Sequence, residues 1–168
     1  MSTEVQRNYL EIKNLKDLIE GQSPDRECSV RIVEPIDFKI NKFFYKQIGK
    51  KYNWIDRLTW DEKKWNNYLD NKNVKTYILS KKDKLLGYFE QIYAQESCEI
   101  AYFGILEDYF GKNFGSYLLT EAIKISFKNG AQRVWVHTCS LDHKHALKNY
   151  ISRGMKIFKT EVLERKAV

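Results

Sequence analysis

The apolar residues change period once, in the middle of the chain, and that change limits the folds open to it. Residues 74–79, 85–94 and 98–106 are rich in β-branched and aromatic side chains, with polar turns at Lys81-Lys82-Asp83 and Gln95-Glu96-Ser97 between them. Such runs read as a three-stranded antiparallel meander. From 116 to 129 the period becomes helical, the stretch carrying Leu118, Leu119, Ala122, Ile123, Ile125 and Phe127 and ending at Gly130, a left-handed cap. Residues 133–138 then read as a strand. Asp142 can cap a helix over about 143–153, which Gly154 closes before a last strand near 156–162. A strand, helix and strand placed after a meander require one parallel pair beside antiparallel ones. The expectation is a mixed α/β fold, with a mostly antiparallel sheet and helices on both faces.

The N-terminal half fits the same plan. A short extended piece at 9–12 and a strand at 29–33 precede two helices. The first starts at Asp37 and carries Phe38, Ile40, Phe43, Phe44 and Ile48; the second is capped by Thr59 or Asp61 and runs through Trp65 to Leu69. Between them lies an aromatic and charged loop, residues 52–57. With 168 residues, 43% of them hydrophobic, and two prolines, one domain over 1–168 is expected. The 29 basic against 22 acidic residues give +7, a charge that attracts polyanions without naming one. Residues 1–20 lack the apolar core of a signal peptide and no apolar run approaches membrane length, so a cytoplasmic protein with no membrane partner is expected. Cys28, Cys98 and Cys139 are an odd number at wide spacing, which suits free thiols.

The junction from Ile105 to Ser116 offers chemistry. A strand there ends in a glycine-bearing turn that opens a long helix, so free backbone N–H groups and the helix dipole converge on one point. Gly111 and Gly115 allow close approach of a ligand, Asn113 tolerates positive φ, and Lys112 adds a charge. An oxyanion or phosphate fits; a plain turn with two convenient glycines fits the spacing too. A metal site is not expected, because His143 and His145 are two apart and no second cysteine lies at ligand spacing from Cys139.

These residues resemble the GNAT superfamily of N-acetyltransferases. Phe110-Gly111-Lys112-Asn113-Phe114-Gly115 occupies the coenzyme A loop pattern Q/R-x-x-G-x-G/A, with Phe110 at the Q/R position and Asn113 in place of the inner glycine. The segment from His143 through Ala146 and Tyr150 to Gly154-Met155 looks like N-x-x-A-x-x-x-Y-x-x-x-G-F, with His143 where Asn is common. The likeness is strongest over 84–161 and extends to an uncharacterised bacterial subgroup of that superfamily.

The resemblance implies acetyl-coenzyme A as cofactor and a coenzyme-binding core over 84–161. Backbone groups of Phe103, Gly104, Ile105 and Leu106 would meet the pantetheine arm. Phe110, Gly111, Lys112, Asn113, Phe114, Gly115 and Ser116 would hold the diphosphate, with His143 and Ala146 beside it. Transfer to an amine needs a base for the ammonium proton and an acid for the leaving thiolate. Glu99 matches the family's usual base position and Tyr150 its usual acid. The helices within 29–73 would cover the acceptor, with Tyr52, Trp54 and Arg57 as contacts, Tyr45, Asp56 and Trp60 as further candidates, and His137 facing them from the next strand. His137 is also an alternative base. The implied partner is a small-molecule or peptide amine, and the protein a monomer or homodimer. Two other readings stay open: an acyl-coenzyme A sensor without turnover, prompted by Phe110 and Asn113, and a basic nucleic-acid-binding protein. The second is disfavoured, because basic and acidic residues interleave along the chain.

Overall fold

A computed structural model describes residues 2–24 and 26–166; Met1, Asp25, Ala167 and Val168 of the expected 1–168 domain lie outside the described residues. The elements are β1 (Ser2–Ile12), β2 (Cys28–Ile32), α1 (Phe38–Gly49), α2 (Glu62–Leu69), β3 (Val74–Lys81), β4 (Lys84–Ala94), β5 (Ser97–Ile105), α3 (Phe114–Lys128), β6 (Arg133–Cys139), α4 (Ala146–Ser152) and β7 (Lys156–Lys166). Their order is the one the periodicity predicts. Asp37 and Asp61 cap α1 and α2, accepting from the amides of Lys39 and Lys64 at 3.1 and 2.8 Å. No helix among the described residues is long and apolar enough to cross a membrane.

Among the described residues, seven strands form one sheet in the order β2-β3-β4-β5-β6-β1-β7. All pairs are antiparallel except β5 with β6, as the strand–helix–strand unit requires. The helices α3 and α4 cover one face, where Leu118, Leu119, Ala122, Ile123 and Tyr150 pack on Leu10, Phe89, Ile100, Val134 and Val136. The other face carries α1 and α2 over β3, β4 and β5, through Phe44, Tyr45, Ile48 and Trp65.

Two expectations are corrected. The extended piece at 9–12 is the end of an eleven-residue strand threaded between β6 and β7, a pairing across more than 120 residues that local pattern does not reveal. The helix expected from 143 begins at Ala146 instead. The Asp142 carboxylate accepts from Thr138 Oγ1 at 2.6 Å and the Cys139 amide at 2.9 Å, so it closes the turn after β6 and caps no helix.

Candidate functional site

The site follows from a parting of two strands. β5 and β6 pair only from Ser97 with Arg133 to Glu99 with Trp135, while β5 stays on β4 to Ile105 and β6 stays on β1 to Cys139. The parting begins at a bulge: partners jump from Glu90 with Tyr102 to Gln91 with Ile100, leaving Ala101 as an extra residue in β5. Bulges bend and overtwist the strand that holds them. Past it, the facing edges of β5 and β6 have no ladder partner, and a cleft of about 1070 Å³ opens between them.

The strand–turn–helix junction forms one end of this cleft. A 3-10 turn at Glu107–Tyr109 leads to Gly111 at φ +77° and Asn113 at φ +66°, and α3 begins at Phe114. Asn113 makes no side-chain cap bond, so no side chain of the cap residue takes the first-turn amides of α3. A Cβ at Gly111 would meet nothing within 4 Å, and at Gly115 nothing nearer than 3.8 Å. Gly111, Asn113, Phe114, Gly115 and Ser116 line the cleft, as do Phe103, Gly104, Ile105 and Ala146. Lys112 is exposed and outside the lining; Lys144 and Lys148 bring positive charge there instead. Leu106 also lies outside it, packed on the core formed by Phe44 and Ile48. Phe110 and His143, the residues that depart from the common pattern at its Q/R and Asn positions, meet each other. Their rings are 4.8 Å apart edge to face, and His143 touches Tyr52 at 6.0 Å.

Glu99 and Tyr150 both line the cleft. Glu99 sits at the last β5–β6 pair, where burial pushes its carboxyl above the ordinary value and the Arg57 charge opposes that rise. Tyr150 is almost fully enclosed, at 6% exposure, with its ring 6.3 Å from Phe103. Burial, reinforced by the Asp142 charge, raises its phenol well above the usual value and keeps it protonated at neutral pH. His137 lines the cleft from β6. Burial first, then the charge of Arg7, holds its imidazole below the usual value, with Arg165 acting the same way and Asp142 against. Burial raises the nearby Cys139 thiol, away from the thiolate form.

The acceptor candidates divide. Tyr45, Tyr52, Trp54, Asp56 and Arg57 line the cleft; Trp60 does not, and stacks edge-on to Trp65 at 4.9 Å. Arg57 is committed to the protein. It is 6% exposed, and its Nη1 donates to both oxygens of the fully buried Glu90 at 2.9 and 3.2 Å. The rings of Tyr45, Trp60, Trp65, Tyr68 and Tyr102 surround its guanidinium, with centroids 4.0 to 5.8 Å away. Burial works against that charge, but Glu90 together with Tyr68 and Tyr102 outweighs it and holds Arg57 above its ordinary value. The opposite wall holds two arginines that sequence reasoning missed, Arg7 on β1 and Arg165 on β7. The one available signal was the alternation Val5, Arg7, Tyr9, Glu11, which puts all four on one face of β1.

The sequence pattern of the acetyltransferase (GNAT) family matches residues 39–155. No curated protein sequence matches the chain. Among solved structures, a GCN5-related N-acetyltransferase from Sphaerobacter thermophilus superposes with TM-score 0.76 at 15% identity, over 98% of this chain and 52% of that one. One from Kribbella flavida gives 0.63 at 14%, over 97% and 58%. An aminoglycoside acetyltransferase from an uncultured soil metagenomic sample gives 0.65 at 14%, over 78% and 90%. The chain thus spans little more than half of the first two, and at these identities the likeness is one of fold.

Proposed function

The chain belongs to the acetyltransferase (GNAT) family, and within it we propose that this domain moves an acetyl group from acetyl-coenzyme A directly to a primary amine. Acetyl-coenzyme A supplies the activated thioester; the chain supplies position and protons. The uncapped amides of α3, the open space at Gly111 and Gly115, and Lys144 with Lys148 suit a diphosphate. The unladdered edge of β5 at Phe103, Gly104 and Ile105 suits an extended arm carrying amides. Glu99 is the base we assign, since a carboxyl raised toward neutrality accepts an ammonium proton more readily, directly or through water. Tyr150 keeps its proton at neutral pH and is the assigned donor to the departing sulfur. His137, kept neutral, is the alternative base, and Tyr52 and Trp54 are the acceptor's aromatic contacts.

The observation that carries this reading is the parting of β5 from β6 between an uncapped helix start and Tyr150. Thiol release from acetyl-coenzyme A with a panel of metabolite amines and peptides tests it: turnover is expected, and loss of it in Glu99→Gln and Tyr150→Phe. A domain that binds an acyl-coenzyme A without turnover is the second reading, favoured by the ring contact of Phe110 with His143 across the two loops. Saturable coenzyme A binding with no amine acetylated would establish that reading in place of the first.

A further inference from the structure

Among the described residues, no helix of the α1–α2 clusters packs on the face of the β6-β1-β7 half that carries Arg7, Tyr9, Trp135 and His137. Arg7 stands in register with Cys139 on one side and Glu161 on the other. Its Nη1 donates one long bond, 3.4 Å, to the Tyr9 hydroxyl, and its Nε is buried with no partner. A buried donor left unpaired is rare enough in folded proteins to need an explanation. The acid in register with it, Glu161, feels the Arg7 charge but accepts its hydrogen bond from the Tyr9 hydroxyl and lies 3.6 Å from Lys159. Arg165 reaches the same cleft. Its partner there is Asp56, 3.4 Å away on a side chain that is 70% exposed, a surface pair that water and ligands exchange easily. Of the other acids lining the cleft, Asp142 is taken by Thr138 and the Cys139 amide, Glu20 by Lys124, and Glu99 stands where the strands part.

From this arrangement we infer that the acceptor carries a carboxylate as well as its amine, and that Arg7 and Arg165 hold that carboxylate. The inference rests on the acetyl-transfer reading and narrows its substrate class to amino acids and related amino carboxylates. A guanidinium presents its donors in a planar fork that matches a carboxylate in two-point contact. The cleft is then polarised along its length, with Glu99 for the ammonium and two arginines for the anion. A polycationic acceptor such as an aminoglycoside would meet two guanidiniums, offset only by the exposed Asp56 and by a Glu161 already shared with Tyr9 and Lys159.

The experiment compares the free amino acids with their carboxamides, at saturating acetyl-coenzyme A, by thiol release. The acids are expected to show kcat/KM about tenfold or more above the amides, through KM. Arg7→Gln and Arg165→Gln should each bring that ratio close to one, and Arg7→Lys should restore part of it by keeping the charge. Amides used as well as acids, or a ratio unchanged in both glutamine variants, overturns the inference. If no compound releases thiol, calorimetry of the same amino acids with the protein–coenzyme A complex decides. Saturable binding lost in Arg7→Gln then keeps the anion site while acetyl transfer falls, and absence of binding overturns the site itself.

Discussion

The two walls of the cleft treat an enclosed guanidinium in opposite ways. On the wall built by α1, α2 and the loop between them, Arg57 is held by a carboxylate with no solvent exposure and ringed by aromatic side chains. On the wall built by β6, β1 and β7, Arg7 makes one long bond and keeps a buried N–H without a partner. Both residues line the same space. A charge beside a cleft therefore says little about its ligand until the protein's own partners have been subtracted. Arg57 fixes the loop that carries Trp54 and Asp56, and Arg7 is left to act on something from outside.

The largest expected effect tests the closed wall. Arg57→Met leaves Glu90 buried without its counter-ion, and loss of one partner from a buried pair costs about 3–5 kcal/mol. Arg7→Gln removes no such pair and should cost under about 1 kcal/mol. Urea titrations of both variants measure the contrast; equal midpoint shifts would abolish the distinction between the walls.

Glu99 stands between the walls and comes next. As the assigned base, its replacement by Gln should lower kcat/KM about a hundredfold, near 2.7 kcal/mol of transition-state stabilisation. Because its carboxyl is raised in the folded protein, activity should climb with pH through a value above the ordinary carboxylate range. The sign for stability is reversed. An ionised Glu99 is disfavoured by burial, so Glu99→Gln should raise Tm at neutral pH, and the gain should vanish as pH falls and the wild-type group takes up its proton. Arg57→Met, wherever it remains folded, should move the activity limb to still higher pH, since the opposing charge is gone.

Much of this was legible in the sequence because it is local. Period changes gave the element order, the aspartates before α1 and α2 gave their starts, and the glycines of residues 111–115 gave the open turn. What stayed hidden is set by long-range pairing. Nothing near Arg7 says that its strand will lie between β6 and β7, and nothing near Ala101 says that one extra residue there will part β5 from β6. Arg57 was legible as a cleft residue, but Glu90, which occupies it, lies 33 positions away inside an apolar run. Phe110 and His143 looked like separate departures from a pattern, and only the fold brings their rings together.

A smaller effect sharpens the description of the closed wall. The Tyr68 hydroxyl donates to Glu90 at 2.6 Å, next to the bonds that Asn41 and Arg57 also give that carboxylate. Tyr68→Phe keeps the ring over Arg57 and removes one charge-assisted bond, so about 1.5 kcal/mol should be lost. A cost far below that would mean Arg57 and Asn41 satisfy Glu90 without help, which double-mutant cycles with Asn41→Ala would reveal as missing coupling.

The smallest expected change in stability falls at the mouth, where the walls meet. Asp56 on the α1–α2 loop pairs with Arg165 on β7 at 3.4 Å, exposed to water and screened by salt. Asp56→Asn should therefore alter stability by no more than about 0.5 kcal/mol. Its effect on binding should have the opposite character to any loss at Arg7. Removing the aspartate frees Arg165 from an internal competitor, so KM for a carboxylate-bearing amine should fall, by about twofold to threefold if the competing pair contributes about half a kcal/mol. Raising ionic strength should shrink the difference between Asp56→Asn and wild type, because salt already weakens that competition in the wild-type protein. A rise in KM would instead place Asp56 on the acceptor's amine, and the closed wall would then hold the ligand by its ammonium end.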